Sequence, residues 1–101
     1  MNTIPQSIIQ SKYLMGTLNL FLKHHKLRRY CSNQYIDVVN ETINVSALKR
    51  ISRPWSKSEK FMLALALHLY NESNKVNLSD MDCLDDVNKR LAFEAIHLRF
   101  Q

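Results

Sequence analysis

Residues 61–70 read FMLALALHLY, directly behind Arg53-Pro54-Trp55 and the string Ser56-Lys57-Ser58-Glu59. Proline disfavours helix at the residue before it, so the chain breaks at Arg53. Ser56 and Glu59 then stand at the spacing of a capping box, in which each side chain satisfies the other's free backbone N–H. Plotted as a helix, residues 57–71 leave a polar sector of only about 80°, holding Lys57, Lys60, His68 and Asn71. A helix so apolar must be surrounded by others. An all-α fold follows, a compact bundle of about four to five helices with the central apolar helix near residues 57–71.

Toward the C-terminus, Asp85 is placed to cap a last helix near residues 86–100. Asp86, Arg90, Glu94, His97 and Gln101 form its polar stripe, with Asp86–Arg90 and Arg90–Glu94 at the favourable i,i+4 spacing. Val87, Leu91, Ala92, Phe93, Ala95, Ile96, Leu98 and Phe100 make the broad opposite face and are expected in the core, with Arg99 in their midst beside Asn88. Between the two helices, Asn71–Lys75 reads as a polar loop, and Ser79 or Asp80 as the start of a short turn. Toward the N-terminus, Thr3, Pro5 and Gln6 suggest another capped start. The helix behind it carries Ile8, Ile9, Leu14, Met15, Leu18, Phe21 and Leu22 and ends in KHHKLRR, residues 23–29. Gly16 inside it either weakens the helix by roughly 1 kcal/mol or lets another backbone approach. Ser32 or Asn33 is expected to cap a helix through Tyr35, Ile36, Val39 and Ile43, although Val38, Val39, Thr42, Ile43 and Val45 are β-branched and suit a strand equally. Ser46 is placed to cap one more short turn through Leu48 and Ile51.

The 101 residues fit one domain, residues 1–101, and one small core. With one glycine and two prolines, hairpins and phosphate-cradling loops are poorly supplied. Cys31 and Cys83 lack the spacing of a redox or zinc motif. Two free thiols in a reducing cytoplasm are expected, with a single long-range disulfide as the alternative. No signal peptide stands out, and the run from Phe61 to Leu67 is too short to span a bilayer. The expectation is a cytoplasmic protein without a membrane partner.

Catalytic groups are hard to find. The four histidines show no HExxH and no facing pair; His24 and His25, adjacent on a helix, would diverge by about 100°. His68 and His97 fall on polar stripes. Asp80, Asp82, Asp85 and Asp86 lack the glycine and terminal glutamate of a calcium loop and suit a helix N-terminus instead. The sequence predicts no enzyme, no cofactor and no metal.

Charge is more telling. Residues 1–60 hold ten Lys/Arg against three acids, whereas residues 61–101 hold four against six. The excess sits in KHHKLRR and in KRISRPWSKSEK (residues 49–60), a distribution suited to phosphates or to an acidic protein face. The candidate partner-binding residues are Lys23, His24, Lys26, Arg28, Arg29, Arg50, Arg53, Trp55 and Arg99. Trp55 reads either as an interface anchor or as a lid folded over the first helical turn. Arg99 reads either as an internal partner of Glu59, Asp37 or Glu41, or as an interface guanidinium.

Pro54-Trp55, LALALHLYN (63–71), Leu84-Asp85-Asp86-Val87-Asn88 and Glu94-Ala95-Ile96-His97-Leu98-Arg99-Phe100 together resemble the C-terminal half of an uncharacterised family of small helical proteins from Gram-positive bacteria and their phages. The likeness covers about residues 54–100; the N-terminal half matches less well. It implies a phage or prophage protein that works by binding. The expected function is therefore a non-enzymatic interaction module that modulates a host or phage protein, such as a toxin or regulator. The rival expectation is a nucleic-acid-binding protein using Lys23, Lys26, Arg28, Arg29, Lys49, Arg50 and Arg53. A homodimer joined through the last helix is a third.

Overall fold

The computed structural model describes residues 12–101. The Thr3–Gln6 capping box and the apolar residues Ile8 and Ile9 lie outside these. The architecture is mostly helical, with one very small sheet. Helix α1 (Lys12–Lys23) is followed by a 3₁₀ turn (Leu27–Tyr30), a two-stranded ribbon of β1 (Ile36–Asp37) and β2 (Thr42–Ile43), and helix α2 (Val45–Ile51). Helix α3 (Lys57–Tyr70), a 3₁₀ helix (Leu78–Cys83) and helix α4 (Asp86–Phe100) complete the chain.

Helix α3 is the centre that its composition predicts. Phe61, Met62, Leu63, Leu65, Ala66, Leu67 and Leu69 are all buried, and the helix packs against α1, α4 and the second 3₁₀ helix. Its start is the capping box: Glu59 N–H donates to Ser56 Oγ at 3.2 Å and Ser56 N–H to Glu59 Oε1 at 3.0 Å. Replacing Ser56 with alanine should cost about 1 kcal/mol in urea denaturation, the usual worth of such a cap. Asp85 caps α4 as expected, accepting from Asn88 N–H at 2.8 Å.

Helix α1 supplies Leu14, Leu18, Leu20 and Phe21 to the same core. Its buried Thr17 hydroxyl donates to the Ala66 carbonyl of α3 at 2.7 Å, which fixes the register of the two helices without leaving a buried polar group unpaired. Gly16 serves close approach: a Cβ built there would lie 2.5 Å from the Ala95 carbonyl oxygen of α4.

That closeness overturns part of the expected burial of α4, although Leu91 and Ile96 still pack half-buried against the core. Only small or polar residues, Asn88, Ala92 and Ala95, fit the contact strip. The bulky residues are pushed to its flanks, where Val87, Phe93 and Phe100 are 61, 60 and 65 % exposed. Asp86, Arg90, His97 and Gln101 of the polar stripe are exposed as expected, but the pairing along it differs. Glu94 turns away from Arg90 toward α1, accepting from Asn19 Nδ2 at 2.7 Å and Lys23 Nζ at 2.6 Å.

The expected helix through residues 35–43 is absent. Ile36 pairs with Ile43 and Asp37 with Thr42 in antiparallel register, the alternative that the β-branched residues allowed. Asp37 closes the turn, its Oδ1 accepting from Asn40 N–H and its Oδ2 from Asn40 Nδ2. Glu41 stands at φ 54°. The short helix after the ribbon is capped by Asn44, two residues before the expected Ser46, through Asn44 Oδ1 and Ala47 N–H. Likewise Asn77 caps the second 3₁₀ helix in place of Ser79 or Asp80. Cys31 and Cys83 are both free. Among the described residues, no helix is long and apolar enough to cross a membrane.

Candidate functional site

The two basic blocks meet where Lys26 lies over Trp55, but several of their cations are already engaged. Helix α1 stops at Lys23, so KHHKLRR is a turn and a 3₁₀ segment rather than a helix end. Lys23 is committed to Glu94. His24 is only 1 % exposed, and its Nδ1 accepts the backbone N–H groups of Lys26 and Leu27 at 3.2 and 3.4 Å. Its Nε2 is buried without a partner. Off the helix, the His24 and His25 rings no longer diverge; their centroids are 4.6 Å apart. Burial, then the charge of His25, lowers the His24 pKa to about 4. It is a structural group, neutral and inaccessible to a partner.

Trp55 packs onto the turn after α1. Its ring lies 5.5 Å from Tyr30, which in turn meets Tyr35 edge-on at 5.4 Å. Lys26 Nζ sits over the Trp55 ring at 5.5 Å and 3.7 Å from Glu59 Oε2; His25 reaches the same carboxylate at 3.6 Å. The Ser56 N–H, chief among these contacts, holds the Glu59 carboxyl below its ordinary pKa. Lys26 and Trp55 therefore fasten the turn after α1 to the start of α3. Arg99 meets two aromatic rings. Its guanidinium stacks on Tyr13 at 3.9 Å and on Phe100 at 4.5 Å, joining the ends of α1 and α4 by cation–π contact. Arg28, Arg29 and Arg50 are exposed; the first two border an open depression with His25 and Cys31.

Arg53 has a different setting. It joins Lys49, Lys60 and Lys75 around a cleft of about 280 Å³ whose apolar lining is Leu63, Ala64 and Leu67, with Ser52 and Asn74 completing it. Lys60, Leu63, Ala64 and Leu67 fall at i, i+3, i+4 and i+7, one stripe of α3 at the border of its polar sector. One lip is the end of α2, where Ser52 N–H donates to the Leu48 carbonyl and Trp55 N–H to the Ser52 carbonyl. The other lip is the loop after α3. Asn71 N–H closes on the Leu67 carbonyl, and His68 Nδ1 lies 2.9 Å from the Asn74 carbonyl. Those bonds hold Lys75 opposite Arg53.

Among the described residues, no carboxylate lines this cleft. Among the described residues, the ion pairs are Lys23–Glu94, His25–Glu59 and Lys26–Glu59, so none of the four rim cations is paired. Four cations over an apolar floor bind an anionic group that carries an apolar one beside it. Sequence reasoning reached Arg53 as a candidate and noted Lys49 and Lys60, but passed over Lys75 because it lies in the acidic half. No cluster among the described residues could hold a metal ion. No family model, curated protein or solved structure matches the chain.

Proposed function

We propose that this protein is a non-enzymatic binding module that docks an acidic, amphipathic segment of a partner protein in the cleft between α2, α3 and the 71–75 loop. The observation that carries this reading is the ring of unpaired Lys49, Arg53, Lys60 and Lys75 around the Leu63–Ala64–Leu67 floor. At about 280 Å³ the cleft is smaller than a typical small-molecule site and suits one or two apolar side chains. The cations around it favour carboxylates on either side of that anchor, and they raise the rate of encounter as well as the affinity.

Nucleic acid is the weaker fit. Sequence-tolerant single-strand binding needs aromatic faces on which bases stack, and Trp55, Tyr30 and Tyr35 are packed on one another and under Lys26. Two of the basic residues counted toward such a surface are also occupied, Lys23 by Glu94 and Lys26 by Glu59. The resemblance of residues 54–100 to small phage-associated proteins gives the biological form of the proposal, modulation of a host or phage toxin or regulator by direct binding.

The test is capture from nuclease-treated host lysate by wild type and by a Lys49→Glu/Arg53→Glu/Lys60→Glu variant. An acidic protein retained by wild type and weakened roughly tenfold or more by the variant is the expected result. Equal retention by both, or retention of nucleic acid alone in an untreated lysate, would refute the reading.

A further inference from the structure

The β1–β2 turn presents a side chain of the kind the cleft is built to take. Val39, at the turn's apex, is 85 % exposed. It is the bare one among the ribbon's apolar residues: Ile36 and Ile43 are buried and Val38 is half-buried. The turn is well fastened: both Asp37 carboxylate oxygens are engaged by Asn40, and Glu41 N–H donates to the Val38 carbonyl at 3.3 Å. Those hydrogen bonds from Asn40 hold the exposed Asp37 carboxyl below its ordinary pKa, so it stays ionised. Glu41 is held in the left-handed region at φ 54°, a conformation a glutamate adopts only when its surroundings impose it. The chain thus keeps a strained, preorganised turn with an exposed valine at its apex.

Charge supplies the match. Residues 31–48 contain two acids, Asp37 and Glu41, and no Lys, Arg or His, although both flanking blocks are strongly basic. The cleft holds four cations and no acid. Position supplies the rest. Only Asn44 separates β2 from α2, and the C-terminal end of α2 carries Lys49, Ser52 and Arg53 to the cleft lip. No turn residue lines the cleft of its own chain.

Resting on the reading of the cleft as a docking site, we infer that a second copy of this chain occupies it. Val39 of one protomer seats on the Leu63–Ala64–Leu67 floor of the other, with Asp37 among the rim cations. Because tip and cleft are distinct surfaces on neighbouring elements, a two-fold exchange closes a dimer in which each protomer gives its tip and receives one. The dimer masks both clefts. A partner protein must displace the tip, so self-association sets the threshold for partner binding.

Sedimentation equilibrium on the full chain tests this, with circular dichroism confirming that each variant is folded. Wild type is expected to show a monomer–dimer equilibrium through the micromolar range. Val39→Lys on the tip, and Lys49→Glu/Arg53→Glu/Lys60→Glu in the cleft, should each weaken it roughly tenfold or more. Mixing the two variants should restore a one-to-one heterodimer, because one intact tip meets one intact cleft. Two results overturn the inference: a wild type that stays monomeric, or a dimer insensitive to both variants but lost on Phe93→Ser, which would place the contact on α4. If wild type is monomeric yet captures an acidic partner that the cleft variant releases, only the self-docking fails. If the cleft variant matches wild type in both assays, both readings fail.

Discussion

Substituting alanine for Gly16 is expected to lower stability by about 2 kcal/mol, although alanine is the better helix former by roughly 1 kcal/mol. The reason is where the new methyl would go. A Cβ at Gly16 stands 2.5 Å from the carbonyl oxygen of Ala95 and 3.4 Å from Leu69 Cδ1. The first of these is backbone in the middle of α4 and cannot rotate aside, so the two helices must part. Parting them loosens the fully buried Ala92 and Ala95 and pulls on the Thr17–Ala66 hydrogen bond that ties α1 to α3. Overpacking of a dense core costs 1–3 kcal/mol as a rule, and the propensity gain offsets only part of it. For a domain of this size the midpoint of thermal unfolding should fall by roughly 10 °C. Urea denaturation checks the free energy directly. A Gly16→Ala protein as stable as wild type would mean that α1 and α4 are not in close contact.

The same contact explains why α4 was only half legible from its sequence. Its limits and its Asp85 cap are local signals, fixed by residues three apart, and they are where the pattern placed them. Which strip of the helix faces inward is not local. Periodicity assigns Val87, Phe93 and Phe100 to the core because they are apolar. The structure buries Asn88, Ala92 and Ala95 instead, because the partner surface is a glycine on a helix some eighty residues earlier. Arg99 sits among these small residues on the wheel, which marked it as unusual. Only the fold shows that Tyr13 is what it stacks on.

The basic half shows a related limit. Continuing the α1 periodicity through residues 24–29 places His24 at an exposed helix end and groups it with Lys23, Lys26 and Arg28. The helix stops at Lys23, the next residue tucks in, and the neighbouring cations are divided between Glu94 and Glu59. The cleft that does gather unpaired charge takes Lys49 from α2, Lys60 from α3 and Lys75 from a loop. No motif links residues so far apart, and a count of charge by halves hides Lys75 altogether. The β1–β2 ribbon shows a limit of another kind. Its run of β-branched residues satisfies the helical spacing and the strand propensity together, and the choice falls to Asp37 and Asn40, whose side chains close a turn that a helix would forbid.

Stability should fall by about 2 kcal/mol between pH 7 and pH 5, and His24 should account for it. In the folded chain its Nδ1 accepts two backbone N–H groups, so the ring proton is on Nε2 and protonation would turn the acceptor into a third donor among them. The imidazolium would also lie buried, beside His25 and near Lys26, with Glu59 and Asp85 compensating only in part; the folded pKa drops from 6.5 to about 4. The unfolded chain takes up this proton near pH 6.5. Between 6.5 and 4 the unfolded state therefore binds a proton that the folded state refuses, and stability declines as pH falls, by up to about 1.4 kcal/mol per pH unit. Asp37, Glu59 and Glu94 have lowered folded pKa values, so their contributions are present above the ordinary carboxylate range and are lost only below it. The interval from pH 6.5 to 4.5 is left to the histidine. His24→Asn keeps an acceptor oxygen near the position of Nδ1 and removes the titration. Its stability at pH 7 should be lower because the smaller side chain leaves space in the core, but its urea midpoint should change much less between pH 7 and pH 5. A variant that retains the full wild-type slope across that interval would show that the acid sensitivity arises elsewhere.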